Sequence, residues 1–319
     1  MSRLFRDLGG QRLGSRGSVV CIGAFDGLHR GHRALIGRVR ERADALSADA
    51  VVVSFEPLPR EYFAPAGAEP ARLLWPRFKL CMLAEAGMDT IGLLRFNRTL
   101  AAMGAGEFAQ RLLVERLGAR EVWVGEDFRF GRGREGDVAL LRALGSAAGF
   151  SVHALDAVAM QGERVSSSRI RALLGAGDLD AAARLLGRHH RMRGEVVHGA
   201  ARGRELGYPT ANLSPDAAGF VPADGVYAGW LLDAHGTRWP TAISVGSNPT
   251  FENVPRQVEA HVIDRPEERV EDFDLYGQEV VVEFVARLRG MVAYEGVDKL
   301  VAQMDDDVER TRGILAAEA

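Results

Sequence analysis

The sequence predicts an α/β protein with two domains, a parallel-sheet domain followed by a small antiparallel β-barrel that ends in a helix. The length of 319 residues is enough for two domains of ordinary size. Apolar strands and amphipathic helices alternate about five times in the first half, which is typical of a doubly wound parallel sheet. Short Val-rich strands separated by Gly, Pro and Asn turns fill the second half, and this pattern indicates a barrel.

In the first half, each strand is a short apolar run and each helix repeats its apolar residues at helical spacing. The predicted strands are 19–22, 50–55, 90–94, 121–124 and 151–155. The predicted helices are 30–46, 76–87, 106–117, 137–148 and 178–186. After the second strand, Pro57 and Pro59 predict an extended loop without helix, at the carboxyl edge of the sheet where α/β proteins bind ligands.

The second half changes to strands and turns from Arg193 onward. Its predicted strands are 194–199, 225–232, 240–246, 257–263 and 278–288, and its predicted helix runs from 297 to about 315. The predicted domain limits are therefore 1–187 and 188–319.

The composition is that of a globular protein, since 47% of the residues are hydrophobic and 26% are charged. The formal charge of −3 gives no general case for binding nucleic acid or a membrane. Neither a signal-peptide core nor a run long enough to span a bilayer is evident, and Cys21 and Cys81 are the only cysteines. We therefore expect a protein of the cytoplasm, a monomer or a weak homo-oligomer, that binds neither nucleic acid nor membrane.

Among the forty basic residues only Lys79 and Lys299 are lysines. A Walker A loop needs Gly-Lys-Ser/Thr, and neither lysine has that setting. A nucleotide must therefore be bound by another architecture.

The segment 19–32, VVCIGAFDGLHRGH, predicts a phosphate-binding site. A short strand, a glycine turn and a helix start follow one another, and the unpaired N–H groups at a helix start attract phosphate. His29 and His32 are three residues apart and are expected to project from the same first turn. The turn residues of this candidate site are Gly23, Phe25, Asp26 and Gly27. Taken singly, each of these residues is more often an ordinary turn or helix-start residue.

Two later stretches supply further candidate ligand contacts. The loop 125–137 holds Asp127 and Phe128 at the same sheet edge, although its composition alone is that of a solvated connection. The stretch 164–171 places Arg164, Ser168 and Arg171 around a helix start. Helix capping is the ordinary explanation of its serines, while the arginines favour phosphate binding.

The second half contains a candidate cation site and a candidate base. Thr210 and Asn212 alternate onto one side of an extended segment and offer two oxygens suited to a hard cation. Glu259 interrupts an apolar strand; the ordinary explanation is an exposed carboxylate, and a carboxylate facing a cavity would serve as general base toward an alcohol. The glycines before the extended segment are weak evidence alone.

The ordered motifs resemble those of bacterial bifunctional riboflavin kinase/FAD synthetases. HxGH after a strand resembles the nucleotidyltransferase signature, and IGxFDGxHxGH is similar to its form in bacterial FAD synthetases. The segments 125–137 and 164–171 resemble two further motifs of that family, with Ser168 in place of Thr. LGYPTAN, VEAH and DLYG resemble the riboflavin kinase module. The motifs extend, in order, from 22 to about 285.

This resemblance implies a Rossmann-like nucleotidyltransferase domain and a riboflavin kinase barrel. The barrel would transfer a phosphoryl group from MgATP to riboflavin, giving FMN and ADP, with Thr210 and Asn212 holding Mg²⁺ and Glu259 as base. The first domain would join FMN to the AMP part of a second ATP, giving FAD and pyrophosphate, with His29 and His32 stabilising charge. The resemblance also assigns nucleotide binding to Gly23, Phe25, Asp26, Gly27, Ser168, Arg171, Gly199, Gly203, Gly207 and Pro209, and flavin binding to Asp127, Phe128 and Arg164.

The sequence departs from the family pattern at Asn248, where Arg is usual, and in the segment 288–294, which lacks the usual charged residues. Two other hypotheses stay open, an enzyme with only one active half and a non-catalytic flavin-binding regulator. The retained imidazoles, the Thr210–Asn212 pair and Glu259 favour catalysis in both halves, because a binding protein needs neither a base nor a cation pair.

Overall fold

A computed structural model of the chain shows two compact units, each described separately below. The structure describes residues 2–65, 72–199, 207–246, 256–264, 275–292, 294 and 296–318. Within these ranges the first unit comprises residues 2–65 and Pro76–Val165, and the second comprises 72–75 and 166–318. No helix in the described ranges is long and apolar enough to cross a membrane.

The first unit is built on a six-stranded parallel sheet. Its strands are β1 (Arg3–Phe5), β2 (Ser18–Ile22), β3 (Asp49–Glu56), β4 (Thr90–Arg95), β5 (Ala119–Gly125) and β6 (Ser151–Leu155). Their order is β1-β4-β3-β2-β5-β6, and every neighbouring pair is parallel. The chain winds outward from β2 in both directions, so the topological switch lies between β2 and β5. The predicted parallel sheet is confirmed; β1 was not predicted, because three residues carry no periodic signal.

Helices cover the sheet on both faces. They are α1 (Arg30–Ala45), α2 (Pro59–Tyr62), α3 (Pro76–Glu85), α4 (Arg98–Ala101), α5 (Ala105–Phe108) and α6 (Val138–Ala148), and α5 continues as a π-helix, Ala109–Arg116. Helix α1 buries Leu35, Ile36, Val39 and Ala43 and packs on β2 and β3. The other face forms a core with the π-helix and α6.

The prediction of a loop without helix after β3 is wrong, because Pro59 is the first residue of α2. Proline is tolerated there since the first N–H groups of a helix have no partner within the helix. The Glu61 carboxylate accepts the backbone N–H of Leu58 at 2.9 Å and completes the turn. The segment after β3 is therefore an ordered helical turn at the carboxyl edge of the sheet. A short hairpin of β7 (Ala159–Met160) and β8 (Glu163–Arg164) closes this unit.

The second unit is a closed antiparallel barrel. Its strands are β9 (His190–Val197), β10 (Ala211–Leu213), β11 (Gly225–Leu232), β12 (Arg238–Gly246), β13 (Gln257–Val262) and β14 (Glu279–Arg289). They close in the order β10-β13-β12-β11-β14-β9. The barrel core contains side chains such as Tyr227, Phe284 and Ile243, none more than 1% exposed. The predicted terminal helix is confirmed as α9 (Val297–Ala316), which packs on β11, β12 and β14.

Two helices precede the barrel, α7 (Ser167–Ala176) and α8 (Leu179–Leu186). By their contacts they belong to the second unit, because α8 packs on β9 and β14 and α7 packs on α8. Contacts therefore divide the chain between Val165 and Ser166, about twenty residues before the predicted limit at 187/188. The limits 1–187 and 188–319 remain a prediction about folding units.

Candidate functional site

The turn between β2 and α1 has a backbone that few residues adopt. Phe25, Gly27 and Leu28 have left-handed φ values of 47°, 88° and 44°. The Phe25 ring is fully buried, and its packing stabilises this strained backbone. Gly23 lies against that ring, since an added Cβ would sit 3.2 Å from it. Asp26 is buried in the same turn, so the predicted turn residues form one rigid entry to α1.

His29 and His32 form a stacked pair at the start of α1. His29 is the N-cap residue, and its Nδ1 accepts the backbone N–H of His32 at 3.3 Å. The two ring centroids are 3.6 Å apart, and the Phe25 ring meets the His32 ring edge-on at 5.2 Å. The structure thus brings together both imidazoles that the sequence placed on this turn.

The electrostatics of the pair keep His32 neutral at pH 7. Burial lowers the pKa of His32 well below 6.5, and the nearby His29 and Lys79 lower it further. Its Nδ1 is buried and has no hydrogen-bond partner among the described residues. A neutral imidazole at a helix start acts as an N–H donor, which suits a developing negative charge on phosphate.

The loop after β5 places Asp127 and Phe128 at the carboxyl edge of the sheet, and Arg164 of β8 contacts Asp127. Arg164 Nη2 donates to Asp127 Oδ2 at 2.8 Å, and both side chains are exposed. Phe128 is half-buried and stacks on Phe130 with ring centroids 5.5 Å apart. The three predicted flavin contacts therefore lie on one surface of the first unit.

Sequence reasoning missed a cluster of aromatic rings at the same edge, after β3 and β4. Phe96 contacts Phe55, Tyr62 and Phe63 at centroid distances of 5.8, 5.3 and 5.8 Å. Phe63 is 67% exposed, which is unusual for a ring of that size in a folded domain. The sequence does carry a signal for this cluster. Tyr62 and Phe63 are adjacent, although only 7% of the residues in the chain are aromatic.

Ser168 and Arg171 lie on α7, in the second unit. The helix cap is Ser166, whose side chain accepts the N–H of Arg169 at 3.2 Å, so capping does not need Ser168. Ser168 is exposed, and Arg171 Nη2 lies 3.5 Å from its hydroxyl. A shared anion ligand fits this arrangement, and nucleotide binding by the two residues stays a prediction.

In the barrel, three polar side chains meet on β10 and β13. Thr210 Oγ1 donates to Glu259 Oε2 at 3.3 Å, and Asn212 Nδ2 lies 3.3 Å from Thr210 Oγ1. Strand pairing enforces this contact, because Asn212 is directly opposite Glu259 in the β10–β13 ladder. Glu259 is half-buried and Asn212 is buried. The two residues predicted to bind a cation and the predicted base thus lie together in a single site.

Gly199 has a steric reason to be glycine. A Cβ added there would sit 2.5 Å from the Asn212 side chain. Gly207 has a φ of +87°, and Pro209 is half-buried directly before Thr210. Gly203, Asn248 and the Asp of the DLYG turn lie outside the described residues.

Three side-chain contacts at this end of the barrel were not predicted. His198 and Tyr276 stack with centroids 3.9 Å apart, and both are exposed. His261 Nδ1 lies 3.0 Å from the carbonyl oxygen of Pro209 and so anchors the residue before Thr210. Tyr208 bonds to Asp305 of α9, and burial with this carboxylate raises the pKa of the phenol to about 12.

The donor set fits a hard divalent cation. The Thr210 hydroxyl and a Glu259 carboxylate oxygen meet here, and the Asn212 amide lies beside them, so the three residues offer the oxygen donors that cations such as Mg²⁺ prefer. The missing Cβ of Gly199 leaves the Asn212 side chain its space. In the described ranges, this site included, no group of three or more His, Cys, Asp or Glu side chains is placed to hold a metal.

Comparison with known proteins places both units in one enzyme family. Residues 12–169 match the family described as FAD synthetase, and residues 186–315 match that described as riboflavin kinase. The chain is 39% identical to the bifunctional riboflavin kinase/FMN adenylyltransferase of Pseudomonas fluorescens, over 99% of both chains. It is 39% identical to that of Escherichia coli K12, over 91% of this chain and 90% of the relative. The Haemophilus influenzae protein of the same name is 35% identical, with 93% and 94% covered.

A solved structure supports the same architecture. The crystal structure named Macrolide-efflux Protein from Streptococcus pneumoniae superposes with a TM-score of 0.81 at 30% identity, and the match covers 98% of both chains. Two family matches and relatives matched over most of their length thus agree with the motifs. The chain belongs to the family of bifunctional riboflavin kinase/FMN adenylyltransferases and carries both enzyme domains of that family.

Proposed function

We propose that the two activities of this family are divided between the units, with riboflavin phosphorylated in the barrel and FMN adenylylated in the parallel-sheet unit. The observation that carries this proposal is that each unit brings together its own cluster of predicted site residues. The barrel has the Glu259 carboxylate beside Thr210 and Asn212, the two residues predicted to bind a cation. The sheet unit has a stacked imidazole pair at a helix start. The activities themselves follow from the family to which the chain belongs.

In the kinase step, Glu259 takes the proton of the primary hydroxyl of riboflavin as that oxygen attacks the γ-phosphorus of ATP. The new O–P bond forms as the bond to the β-phosphate oxygen breaks, so FMN and ADP result. Thr210 and Asn212 hold the cation of the nucleotide, and we propose Mg²⁺ because the oxygen donors are hard. When bound, this cation neutralises charge on the phosphates.

In the adenylyl-transfer step, a phosphate oxygen of FMN attacks the α-phosphorus of a second ATP. The bond between the α-phosphorus and the bridging oxygen breaks, and pyrophosphate leaves. His29 and His32, with the N–H groups of α1, stabilise negative charge at the α-phosphate. Nucleotide binding by Ser168 and Arg171 stays a prediction, and no covalent enzyme intermediate is expected.

The aromatic cluster after β3 and β4 is proposed to receive the isoalloxazine ring. A flat aromatic ligand gains most from an exposed aromatic face, and Phe63 offers such a face at the edge where ligands bind. Phe128, with the Asp127–Arg164 pair, belongs to the same edge and completes the proposed flavin contacts. In the barrel, the exposed His198–Tyr276 stack is a platform of the same kind for the adenine base.

The proposal is tested by incubating the purified protein with riboflavin and MgATP and separating FMN from FAD by chromatography. We expect FMN to form first and FAD to follow. FMN without FAD, or FAD only from supplied FMN, would show a single active half. No product at all would favour a flavin-binding regulator. A cytoplasmic location, a monomer or weak homo-oligomer, and no binding of nucleic acid or membrane are proposed as well.

A further inference from the structure

Lys79 is a buried lysine in a protein whose basic residues are otherwise almost all arginine. The chain has forty basic residues, and only positions 79 and 299 are lysine. Lys299 is exposed in the first turn of α9, whereas Lys79 is 2% exposed. An ammonium group is compact and a guanidinium is broad, so a narrow buried position favours lysine. The adenylyl-transfer chemistry described above makes no use of this residue.

The ammonium group of Lys79 lies beneath the turn that leads into α1. Its Nζ is 3.1 Å from Ser54 Oγ, 3.4 Å from the carbonyl oxygen of Ala24 and 3.5 Å from that of Phe55. Ser54 Oγ itself donates to the Ala24 carbonyl at 3.0 Å. One side chain of α3 thus connects the carboxyl end of β3 to the turn that carries Phe25 and the paired imidazoles.

The position of the Ala24 carbonyl affects the geometry of the adenylyl-transfer site. Ala24 lies between Gly23 and Phe25, and the Phe25 ring packs against both Gly23 and His32. A shift of this carbonyl would move Phe25, and with it the His32 ring and the first N–H groups of α1. Displacements on the order of 1 Å at a reacting centre commonly cost about 100-fold in rate.

The charge of Lys79 also reaches the site, since it is one of the groups that lower the pKa of His32. A fixed positive charge beneath a phosphate-binding turn attracts the triphosphate, and it does so strongly where water is excluded. The hydrogen bonds of Lys79 and its charge therefore both favour phosphate binding at this turn.

We propose that Lys79 is a positioning residue of the adenylyl-transfer site, which holds the Ala24 carbonyl in place and provides a fixed positive charge behind the bound ATP. The proposal rests on the proposed function only in assigning adenylyl transfer to the turn and imidazoles of the first unit. It assigns Lys79 no contact with substrate. Because the triphosphate of ATP carries more negative charge than the single phosphate of FMN, the larger effect should fall on ATP.

The test uses the full-length protein with Lys79→Met, which keeps the length but removes the charge, and Lys79→Arg, which keeps the charge. Lys299→Met is the matched control. Initial rates of FAD formation are measured with ATP and FMN varied in turn. Lys79→Met should lower kcat/KM for ATP by at least about 10-fold, with a raised KM for ATP and a KM for FMN within about twofold of the parent. Lys79→Arg should recover part of the loss, and Lys299→Met should match the parent.

Circular dichroism and thermal unfolding, measured on the same preparations, report whether the sheet unit that holds Lys79 is folded, and riboflavin kinase activity reports on the barrel. Parental KM and kcat for ATP in folded Lys79→Met would overturn the proposal. So would an equal loss of kcat/KM in Lys79→Met and Lys79→Arg with an unchanged KM for ATP, because a loss that does not follow the charge indicates a merely structural role. If Lys79→Met is not recovered folded, Lys79→Gln is measured by the same criteria. Absence of FAD formation in the parent and in Lys299→Met would instead contradict the proposed function.

Discussion

The two imidazoles of the sheet unit have different roles, although the sequence places them as equivalents. His29 caps α1 through Nδ1, so its ring is fixed by the N–H group that it accepts. His32 has no such bond at Nδ1 within the described part of the chain, and its ring is held by stacking on His29 and Phe25. The Nδ1 of His29 is thus occupied by the helix cap, whereas that of His32 has no hydrogen-bond partner among the described residues.

His32→Ala should reduce FAD formation from FMN and MgATP by about 100-fold or more, because a transition-state donor is lost. Riboflavin phosphorylation should remain near the parental rate. His235→Ala, in the exposed turn after β11, is the control. Parental FAD synthesis by His32→Ala would show that adenylyl transfer does not depend on this imidazole.

His190 in β9 should make stability depend on pH. Its Nε2 donates to the Phe220 carbonyl at 2.7 Å, and its Nδ1 is buried without a partner among the described residues. Burial lowers the pKa of His190 to about 4, while the unfolded chain titrates at about 6.5. Between these values only the unfolded state takes up the proton, so stability falls as the pH falls.

From pH 7 to pH 5, this residue should lower the free energy of unfolding by about 2 kcal/mol. His190→Gln keeps a donor for Phe220 but cannot titrate, so its unfolding in denaturant should depend less on pH by that amount. His235→Gln should leave the pH dependence as in the parent. Identical slopes for His190→Gln and the parent would contradict the assignment.

At the scale of the elements, periodicity predicted the existence of nearly every helix and strand, and local chemistry decided what it could not. The apolar spacing in α1 clearly indicated a helix, and the Val-rich run of β3 clearly indicated a buried strand. Pro59 was misjudged because proline both breaks a helix and begins one, and only the position in the turn decides which. Among the serines of 166–168, any could have been the cap from sequence alone; the backbone makes it Ser166.

Substitutions of Ser166 and Ser168 should therefore have different effects, the first on stability and the second on FAD synthesis. Ser166→Ala should lower the free energy of unfolding by about 1 kcal/mol through loss of the cap. Ser168→Ala should leave stability unchanged and reduce FAD synthesis, whereas Ser168→Thr should be tolerated because the hydroxyl remains. Thermal unfolding and initial rates on the same samples measure both effects. Equal FAD synthesis by Ser168→Ala and the parent would remove Ser168 from the phosphate site.

Gly199→Ala tests the placement of Asn212. The new Cβ would sit 2.5 Å from the Asn212 side chain, which must then leave its position beside Thr210. Kinase kcat/KM for MgATP should fall by at least about 10-fold, while FAD synthesis from FMN is unchanged. Gly313→Ala in α9, where a Cβ meets nothing within 4 Å, is the matched control. Normal kinase activity in Gly199→Ala would show that the Thr210–Asn212 contact is dispensable.

At the scale of the whole molecule, the change from mixed to all-β patterning revealed two folds, but it did not reveal which helices belong to which. Helix α8 has an apolar face of Leu179, Ala182, Leu185 and Leu186, and periodicity alone does not say what covers it. The structure packs it on β9 and β14. The chemistry was more predictable than the packing, because β-strand alternation put Thr210 and Asn212 on one side. Lys79 and Phe63 were not predicted, because their roles depend on contacts between distant elements.

The central claim, that each unit catalyses its own reaction, is tested most directly with Glu259→Gln. This change keeps the shape and much of the hydrogen bonding of the side chain but removes the base. FMN formation from riboflavin should fall by about 100-fold or more. The same protein, supplied with FMN and MgATP, should form FAD within about twofold of the parental rate. Unchanged FMN formation, or loss of both activities in a folded protein, would contradict the claim.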